Sequence, residues 1–419
     1  MTKIKKLFAE EVLNAKGYPG VEATVILSND IIASSSPPSG TSKGTYEALE
    51  IVDAKSKRYN GHGVLKAVEN VNKIIAPRLL GTDINNQKKI DNIMIELDGT
   101  KDKRRLGANA ILSVSQAVTK AAAKNSSLPL YLYINKLASN NKTIKKNPTP
   151  LFVMLTGGKH ADNSIDFQEI LLIPSPSKSF EEKTEIGVNI YHLLEKTLLE
   201  SGLSTLTSIE GGFSPDFSNN IEALRLIKEV ITNSSYKLSS DVSLGIDVAS
   251  TSFYKDKQYF LKDKTTPYSP EDLIDLYQKL ISDFNIIYLE DPFSEDDWTS
   301  WQKAFKILSP HSLIVGDDLT VTNPVRLKQA LDNNVINGII IKPNQIGTIS
   351  ETIEVVKMAR LNNLKVIVSH RSGETMDDFI ADFAIGVGAD FVKFGAPARE
   401  RAIKYNRLLK IKRQLDQNS

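Results

Sequence analysis

The chain of 419 residues contains no cysteine. Disulfide bonds are therefore excluded, and so is every mechanism in which a thiol acts as a nucleophile or a metal ligand. A fold that needs no disulfide fits a reducing compartment such as the cytoplasm.

Long apolar segments are also lacking. The apolar runs around Leu171, Ile340 and Ile367 extend over only a few residues, whereas a membrane-spanning helix needs about 20. The basic N-terminus is not followed by the apolar core of a secretory signal peptide. We therefore expect a soluble cytoplasmic protein without a membrane partner.

Charge of one sign is not in excess, since 52 basic residues stand against 50 acidic residues and the formal net charge is +2. This balance gives the chain no overall attraction to nucleic acid or to an anionic membrane. We expect neither of them as a partner.

The length predicts two domains, because one hydrophobic core rarely serves so many residues. The first part mixes a strand pattern at 21–27 with a helical pattern at 108–123. A polar, basic and proline-punctuated stretch at 140–150 is the expected boundary. We therefore predict a smaller α+β domain at 1–140 and a catalytic domain at 141–419.

Short β-rich runs recur through the second domain, and each ends in a polar residue. These residues are Asp247, Glu290, Asp317, Lys342, His370 and Lys393. Most follow one another at intervals of roughly 25 to 30 residues, the length of one strand and one returning helix. The repeat predicts an α/β fold of the (β/α)8 barrel type rather than an open sheet. The C-terminal ends of barrel strands meet at one face, so these side chains should converge on one pocket.

Three of these residues, Asp247, Glu290 and Asp317, are carboxylates. Like charges held close together either raise a pKa or recruit a cation. Oxygen ligands without histidine or cysteine favour Mg²⁺ over zinc or copper. The alternative is three unrelated surface or salt-bridge carboxylates, but their matching positions favour the metal site.

Two lysines end predicted strands in the same way. A buried lysine beside cations has a lowered pKa, which would make Lys342 a general base. The alternative for Lys342, and equally for Lys393, is a surface side chain with an exposed ammonium group. A lysine pair near a metal suits a substrate carboxylate whose α-proton must leave.

Further polar groups lie in glycine-containing segments. In SHRSGET, Arg371 can hold phosphate through two hydrogen bonds, assisted by Ser372. Glu210, in IEGGFSP, can protonate a leaving hydroxyl, although carboxylates beside glycines are often only turn formers. The segment GGKHADNSIDFQEI adds His160, Gln168 and Glu169.

Ten segments together resemble one known family in composition and order. They are SGTSKGTYEALE, LDGTKDKRRLGANAILSVS, GGKHAD, FQE, IEGGFSP, YLEDPFSEDDW, VGDDLTVTNP, IKPNQIGT, VSHRSGETMDDFIAD and KFGAPARERAIKYN. The chain is similar to the enolase family (phosphopyruvate hydratase) over roughly residues 4–413. The resemblance implies an N-terminal α+β domain, a barrel with irregular first strands, and dehydration of 2-phosphoglycerate to phosphoenolpyruvate in glycolysis.

The resemblance also implies a role for each matching residue. Two Mg²⁺ ions are expected, with Asp247, Glu290 and Asp317 as the main ligands and Ser42, in the lid loop 31–44, closing on the second ion. Lys342 is the expected base, Glu210 is the expected acid with Glu169 beside it, and Lys393 binds the substrate carboxylate. Arg371 and Ser372 bind the phosphate, and His160, Gln168 and His370 match active-site positions.

Several residues depart from the family pattern. Lys43, Ile209 and Pro343 adjoin the lid serine, the acid and the base. They motivate an alternative, a paralogue that dehydrates a related phosphonate or phospho-hydroxyacid. A binding role without catalysis is disfavoured, because it would need neither acid, base nor ligands. A homodimer or larger homo-oligomer is expected, but Lys16 and the basic C-terminus stand where family subunits pair and leave this open.

Overall fold

The computed structural model describes most of the chain. It covers residues 1–40, 45–139, 144, 147–162 and 165–417. Ser42 and Lys43 lie outside the described residues, so their predicted places in the lid stay predictions.

The N-terminal part is an antiparallel sheet covered by helices. Its elements are β1 (Ile4–Leu13), β2 (Pro19–Leu27), β3 (Ile32–Ser35), α1 (Leu65–Asn70), α2 (Ala76–Leu79), α3 (Gln87–Asp98), α4 (Ala108–Asn125) and α5 (Leu130–Ser139). The strands are in the order β1-β2-β3, and α4 packs against β2 and β3. The other side of α4 contacts Pro343–Gln345, a short turn that follows a strand of the second part. A helix covered on both sides is apolar nearly all round, as the alanine-rich sequence of α4 is.

The second part is a nine-stranded sheet, nearly closed into a barrel, with helices outside it. Its elements are β4 (Thr149–Pro150), β5 (Phe152–Thr156), β6 (Glu169–Pro174), α6 (Phe180–Glu200), α7 (Asn220–Thr232), β7 (Val242–Asp247), β8 (Tyr254–Lys255), β9 (Gln258–Tyr259), α8 (Pro270–Phe284), β10 (Ile286–Glu290), α9 (Trp298–Leu308), β11 (Leu313–Gly316), α10 (Pro324–Asp332), β12 (Gly338–Ile341), α11 (Ile349–Leu361), β13 (Lys365–Ser369), α12 (Phe379–Gly386), β14 (Phe391–Lys393) and α13 (Ala402–Gln417). β8 and β9 form a separate hairpin.

The strand order in the large sheet is β4-β14-β13-β12-β11-β10-β7-β6-β5. In this sheet all neighbours from β4 through β14 to β7 pair in parallel, whereas β6 is antiparallel to both β5 and β7. Both the predicted barrel and its irregular first strands are therefore confirmed. The domain boundary at residue 140 stays a prediction; α5 ends at Ser139 and β4 begins at Thr149.

Apolar side chains fill the inside of the barrel. They are Leu151, Val153, Leu171, Ile173, Tyr288, Val315, Ile340 and Ile367. A larger apolar cluster lies between the outer strand faces and the helices. Strands buried on both faces read as continuous apolar runs, which is why the sequence pattern identified them. None of the helices in the described part of the chain is both long and apolar enough to cross a bilayer.

The contact of α6 with the barrel depends on a glycine. A Cβ atom at Gly187 would overlap the ring of Phe152 on β5. That ring is fully buried and packs against Tyr405, with ring centroids 5.1 Å apart, so it has little room to move.

We expect Gly187→Ala to lower the free energy of unfolding by about 1–2 kcal/mol, because overpacking outweighs the gain of about 1 kcal/mol in helix propensity. Thermal unfolding followed by circular dichroism measures the change. Glu185→Ala, at an exposed position of the same helix, is the control and should be nearly neutral. A more stable Gly187→Ala variant would contradict the packing argument.

Candidate active site

Neighbouring strands place three carboxylates side by side at the mouth of the barrel. Glu169, the first residue of β6, is in register with Asp247 at the end of β7, and Asp247 is in register with Glu290 at the end of β10. β6 runs antiparallel to β7, so its first residue lies at the same end of the barrel as the last residues of the parallel strands. All three side chains are buried.

Lys393, the last residue of β14, reaches all three carboxylates. Its Nζ lies 2.8 Å from Glu169 Oε2, 2.7 Å from Asp247 Oδ2 and 2.9 Å from Glu290 Oε2. Burial acts to lower the pKa of Lys393, but the three carboxylates outweigh it and raise this pKa well above its ordinary value. Lys393 is therefore a fixed positive charge in the floor of the site.

The single ammonium group of Lys393 does not balance the negative charge of the three carboxylates. Burial and the neighbouring Asp247 raise the pKa of Glu290 to about 8. The Tyr288 hydroxyl donates to Glu290 Oε2 at 2.6 Å, and Gln168 Nε2 donates to Asp247 Oδ2 at 3.2 Å. Carboxyl groups whose ionisation is opposed in this way favour a further cation, and their oxygen atoms suit Mg²⁺.

Lys342 follows β12 and forms an ion pair with Asp317, which follows β11. Both side chains are largely buried. Burial acts to lower the pKa of Lys342, but the Asp317 carboxylate outweighs it, and the net pKa is raised. The lowered pKa expected from the sequence is therefore wrong for this arrangement, because the nearest charge to the ammonium group is an anion.

A second group of carboxylates lies beside Asp317. Asp291 Oδ1 accepts from the backbone N–H of Asp317 at 3.0 Å, and its Oδ2 accepts from that of Asp318 at 2.7 Å. Carboxylate oxygens of these three residues lie within 4.8 Å of one another and can hold a metal ion. Burial and the Asp317 charge raise the pKa of Asp318 to about 7. Sequence reasoning did not single out Asp291 and Asp318, although each directly follows a predicted ligand.

The two predicted acids, Glu169 and Glu210, lie close together with His160. His160 Nδ1 lies 3.1 Å from Glu210 Oε2, and His370 Nε2 lies 4.0 Å from Glu210 Oε1. Burial raises the pKa of Glu169 well above its ordinary range, and the neighbouring Glu210 adds to this shift. Burial opposes ionisation of Glu210 as well, but His160 and the bond with Glu169 lower its pKa. Between these two groups, the directions of the shifts favour a proton on Glu169 over one on Glu210.

The predicted phosphate ligands lie in the loop after β13. The backbone carbonyls of Arg371 and Ser372 accept hydrogen bonds from Arg401, at 2.8 Å from Nη1 and 3.0 Å from Nη2. Arg401 is fully buried and also donates to the carbonyl of Ile209 at 3.2 Å. One guanidinium group thus fixes the loop after β13 relative to the segment that carries Glu210.

A cavity of about 230 Å³ joins these groups. The predicted residues that line it are His160, Gln168, Glu169, Glu210, Asp247, Asp317, Lys342, His370, Arg371, Ser372 and Lys393. Glu290 lies beneath it, in contact with Lys393. Thr45 and Glu47 of the N-terminal part also line the cavity. Sequence reasoning gave neither of these two a role.

Comparisons with known proteins agree with this geometry. Residues 4–134 match the family description "Enolase, N-terminal domain", and residues 144–419 match "Enolase, C-terminal TIM barrel domain". A protein named enolase from a Nitratiruptor species is 45% identical over 416 residues, which cover 99% of this chain and 97% of that protein. A protein of the same name from Ehrlichia ruminantium (strain Gardel) is 42% identical over 415 residues, with the same coverage. The chain belongs to the enolase family.

Proposed function

We propose that this pocket catalyses the reversible dehydration of 2-phospho-D-glycerate to phosphoenolpyruvate, the hydro-lyase step of glycolysis and gluconeogenesis. One observation carries the assignment of roles. A lysine, Lys342, and a pair of carboxyl groups, Glu169 and Glu210, line the same cavity, which also contains a fixed ammonium group and a guanidinium group. The reaction needs a base, an acid and positive charge at both anionic ends of the substrate.

Substrate binding follows from the cationic groups. Arg371 and Ser372 bind the phosphate, because a planar guanidinium group matches phosphate oxygens and the loop that carries it is fixed. Lys393 binds the substrate carboxylate with a charge that stays positive at any physiological pH. His160, Gln168 and His370 complete the wall; burial lowers the pKa of His370, so it is present as a neutral imidazole.

The carboxylates of the site fit two Mg²⁺ ions. Asp247, Glu290 and Asp317 would hold the first ion, since their oxygen atoms are buried and their negative charge exceeds that of the nearby lysines. Ser42, outside the described residues, is the proposed ligand of the second. When bound, Mg²⁺ would supply positive charge to the substrate carboxylate as the C2 proton leaves.

Lys342 removes the proton from C2. A lysine must be neutral to act as a base, and its ion pair with Asp317 opposes this. Anything that weakens this pair in the loaded site lowers the pKa of Lys342 towards the working range. The negative charge that develops on the substrate carboxylate is stabilised by Lys393.

Glu210 and Glu169 deliver the proton to the departing C3 hydroxyl. Both groups lie in a buried site beside His160, and burial raises the pKa of Glu169. A carboxyl group kept protonated by burial is a suitable general acid.

The paralogue that uses a phosphonate is not favoured. This chain is 42–45% identical to two proteins named enolase over nearly its whole length. Ile209, one of the departures that motivated the alternative, offers its backbone carbonyl to Arg401, which any residue at this position can do. A role in binding alone leaves the acid, the base and the carboxylates without a purpose.

Lys342→Ala is expected to reduce kcat with 2-phosphoglycerate by about 10²-fold to 10⁴-fold, since the base is removed. Formation of the phosphoenolpyruvate double bond is followed by ultraviolet absorbance in the presence of Mg²⁺. Lys328→Ala removes an exposed lysine of α10 and should leave kcat unchanged. If Lys342→Ala retained wild-type turnover, the base would have to be another residue.

Glu210→Gln is expected to lose dehydration but to retain exchange of the C2 proton with solvent, because the base acts before the acid. Proton NMR of 2-phosphoglycerate in deuterated buffer measures this exchange. Lys342→Ala should lose both reactions. Equal loss of exchange in the two variants would contradict the division into acid and base.

We also infer a homodimer or a larger homo-oligomer, as the family resemblance implies. Lys16, which stands where family subunits pair, is half-buried in its own chain, and burial lowers its pKa. The charge of Glu50 offsets part of this effect. Sedimentation velocity should give at least twice the chain mass, and a monomer at micromolar concentration would contradict the inference.

A further inference from the structure

Two residues of the recognised motifs have no role in the reaction described above. They are Glu47, in the segment TYEALE, and Gln345, in the segment IKPNQIGT. We propose that Glu47 and Gln345 are positioning residues, which fix the phosphate-binding Arg371 relative to Asp317 and thereby couple the two ends of the site. This inference rests on the proposed function, since it assigns phosphate to Arg371.

Glu47 holds the guanidinium group of Arg371 from the N-terminal part of the chain. Arg371 Nη1 donates to Glu47 Oε2 at 3.0 Å, and Nη2 donates to Glu47 Oε1 at 3.4 Å. Nη1 also donates to Asn344 Oδ1 at 3.2 Å. Arg371 is 6% exposed and Glu47 is 7% exposed. A bidentate, buried pair of this kind fixes the plane of the guanidinium group as well as its place.

Gln345 joins Glu47 to Asp317. Its Nε2 donates to Glu47 Oε1 at 3.3 Å and to Asp317 Oδ1 at 3.2 Å. One carboxamide nitrogen therefore lies between two buried carboxylates, with one hydrogen for each. Without these two donors, the carboxylates would lose hydrogen bonds in a buried site.

The oxygen of the Gln345 amide is held by Thr322. The Thr322 hydroxyl accepts from the backbone N–H of Lys342 at 2.9 Å and donates to Gln345 Oε1 at 2.7 Å. Carboxylates only accept hydrogen bonds, so the amide nitrogen must face Glu47 and Asp317, and the amide oxygen then accepts from Thr322. The chain of bonds thus runs from Arg371 through Glu47 and Gln345 to Asp317, the partner of Lys342.

The direction in which KM changes when Glu47 is replaced by Gln distinguishes a positioning role from a purely electrostatic one. Glu47 carries a negative charge close to the proposed phosphate site, so its charge alone repels the substrate. Glu47→Gln would then lower KM if charge were all that mattered. If Glu47 positions Arg371, the same change raises KM, because the guanidinium group turns towards other nearby anions, among them Asp317.

The test compares the KM for 2-phosphoglycerate and the inhibition constant of inorganic phosphate in the full-length, Mg²⁺-loaded protein. In Glu47→Gln, we expect both constants to rise about tenfold while kcat falls less than about threefold, since the main loss is in placing the phosphate. Glu351→Gln is the matched control. It removes another ion pair between the two parts of the chain, Lys103–Glu351, with Nζ and Oε1 2.9 Å apart, and should change neither constant.

Glu47→Asp keeps the charge but shortens the side chain, and it decides the question if Glu47→Gln does not fold. A raised KM in Glu47→Asp supports positioning, and an unchanged KM overturns it. A lowered or unchanged KM in Glu47→Gln overturns it as well. If the wild-type protein showed no turnover of 2-phosphoglycerate, the proposed function would fail instead, so the two failures are distinguishable.

The coupling is tested by Gln345→Leu, alone and combined with Glu47→Gln. If Gln345 acts through Glu47, the increase in KM of the double variant should be smaller than the product of the two single increases. An increase equal to that product would show that the two residues act independently and would overturn the coupling.

Discussion

The ion pair of Lys393 with Glu169, Asp247 and Glu290 is the interaction on which the site depends. Three buried carboxylates at the ends of adjacent strands would repel one another in a medium of low polarity. The ammonium group offsets part of this repulsion, and the remainder raises the pKa of Glu290. The same imbalance that makes the mouth of the barrel costly to fold makes it receptive to a divalent cation.

The N-terminal part of the chain completes the site. Thr45 and Glu47 line the cavity, and Glu47 pairs with Arg371 across the boundary between the two parts. Earlier in the chain, Ser39 and Gly373 exchange backbone hydrogen bonds at 3.0 and 2.9 Å. Helix α4, buried on both of its sides, provides the apolar contact that holds these polar groups in place.

The pKa values in the site differ from what the sequence suggested where charged groups lie in contact. Lys342 was expected to have a lowered pKa, because the sequence suggested cations around it, but folding places Asp317 against it and raises this pKa. Glu169 and Glu210 are both carboxyl groups in a buried site, yet their pKa values shift in opposite directions, because His160 lies against only one of them. Such differences depend on distances of a few ångströms between residues far apart in the chain.

Strand and helix periodicity determined the barrel from the sequence alone, because a strand buried on both faces must be apolar along its length and must end where the chain meets solvent. Polar residues at those ends, from Asp247 to Lys393, could therefore be assigned to one face from their spacing. Only the tertiary structure decided which of these charges touch. The roles open to Asp291, Asp318, Glu47 and Gln345 also came from folding, because hydrogen bonding and electrostatics act through space, and no spacing along the chain encodes a contact between Glu47 and Arg371.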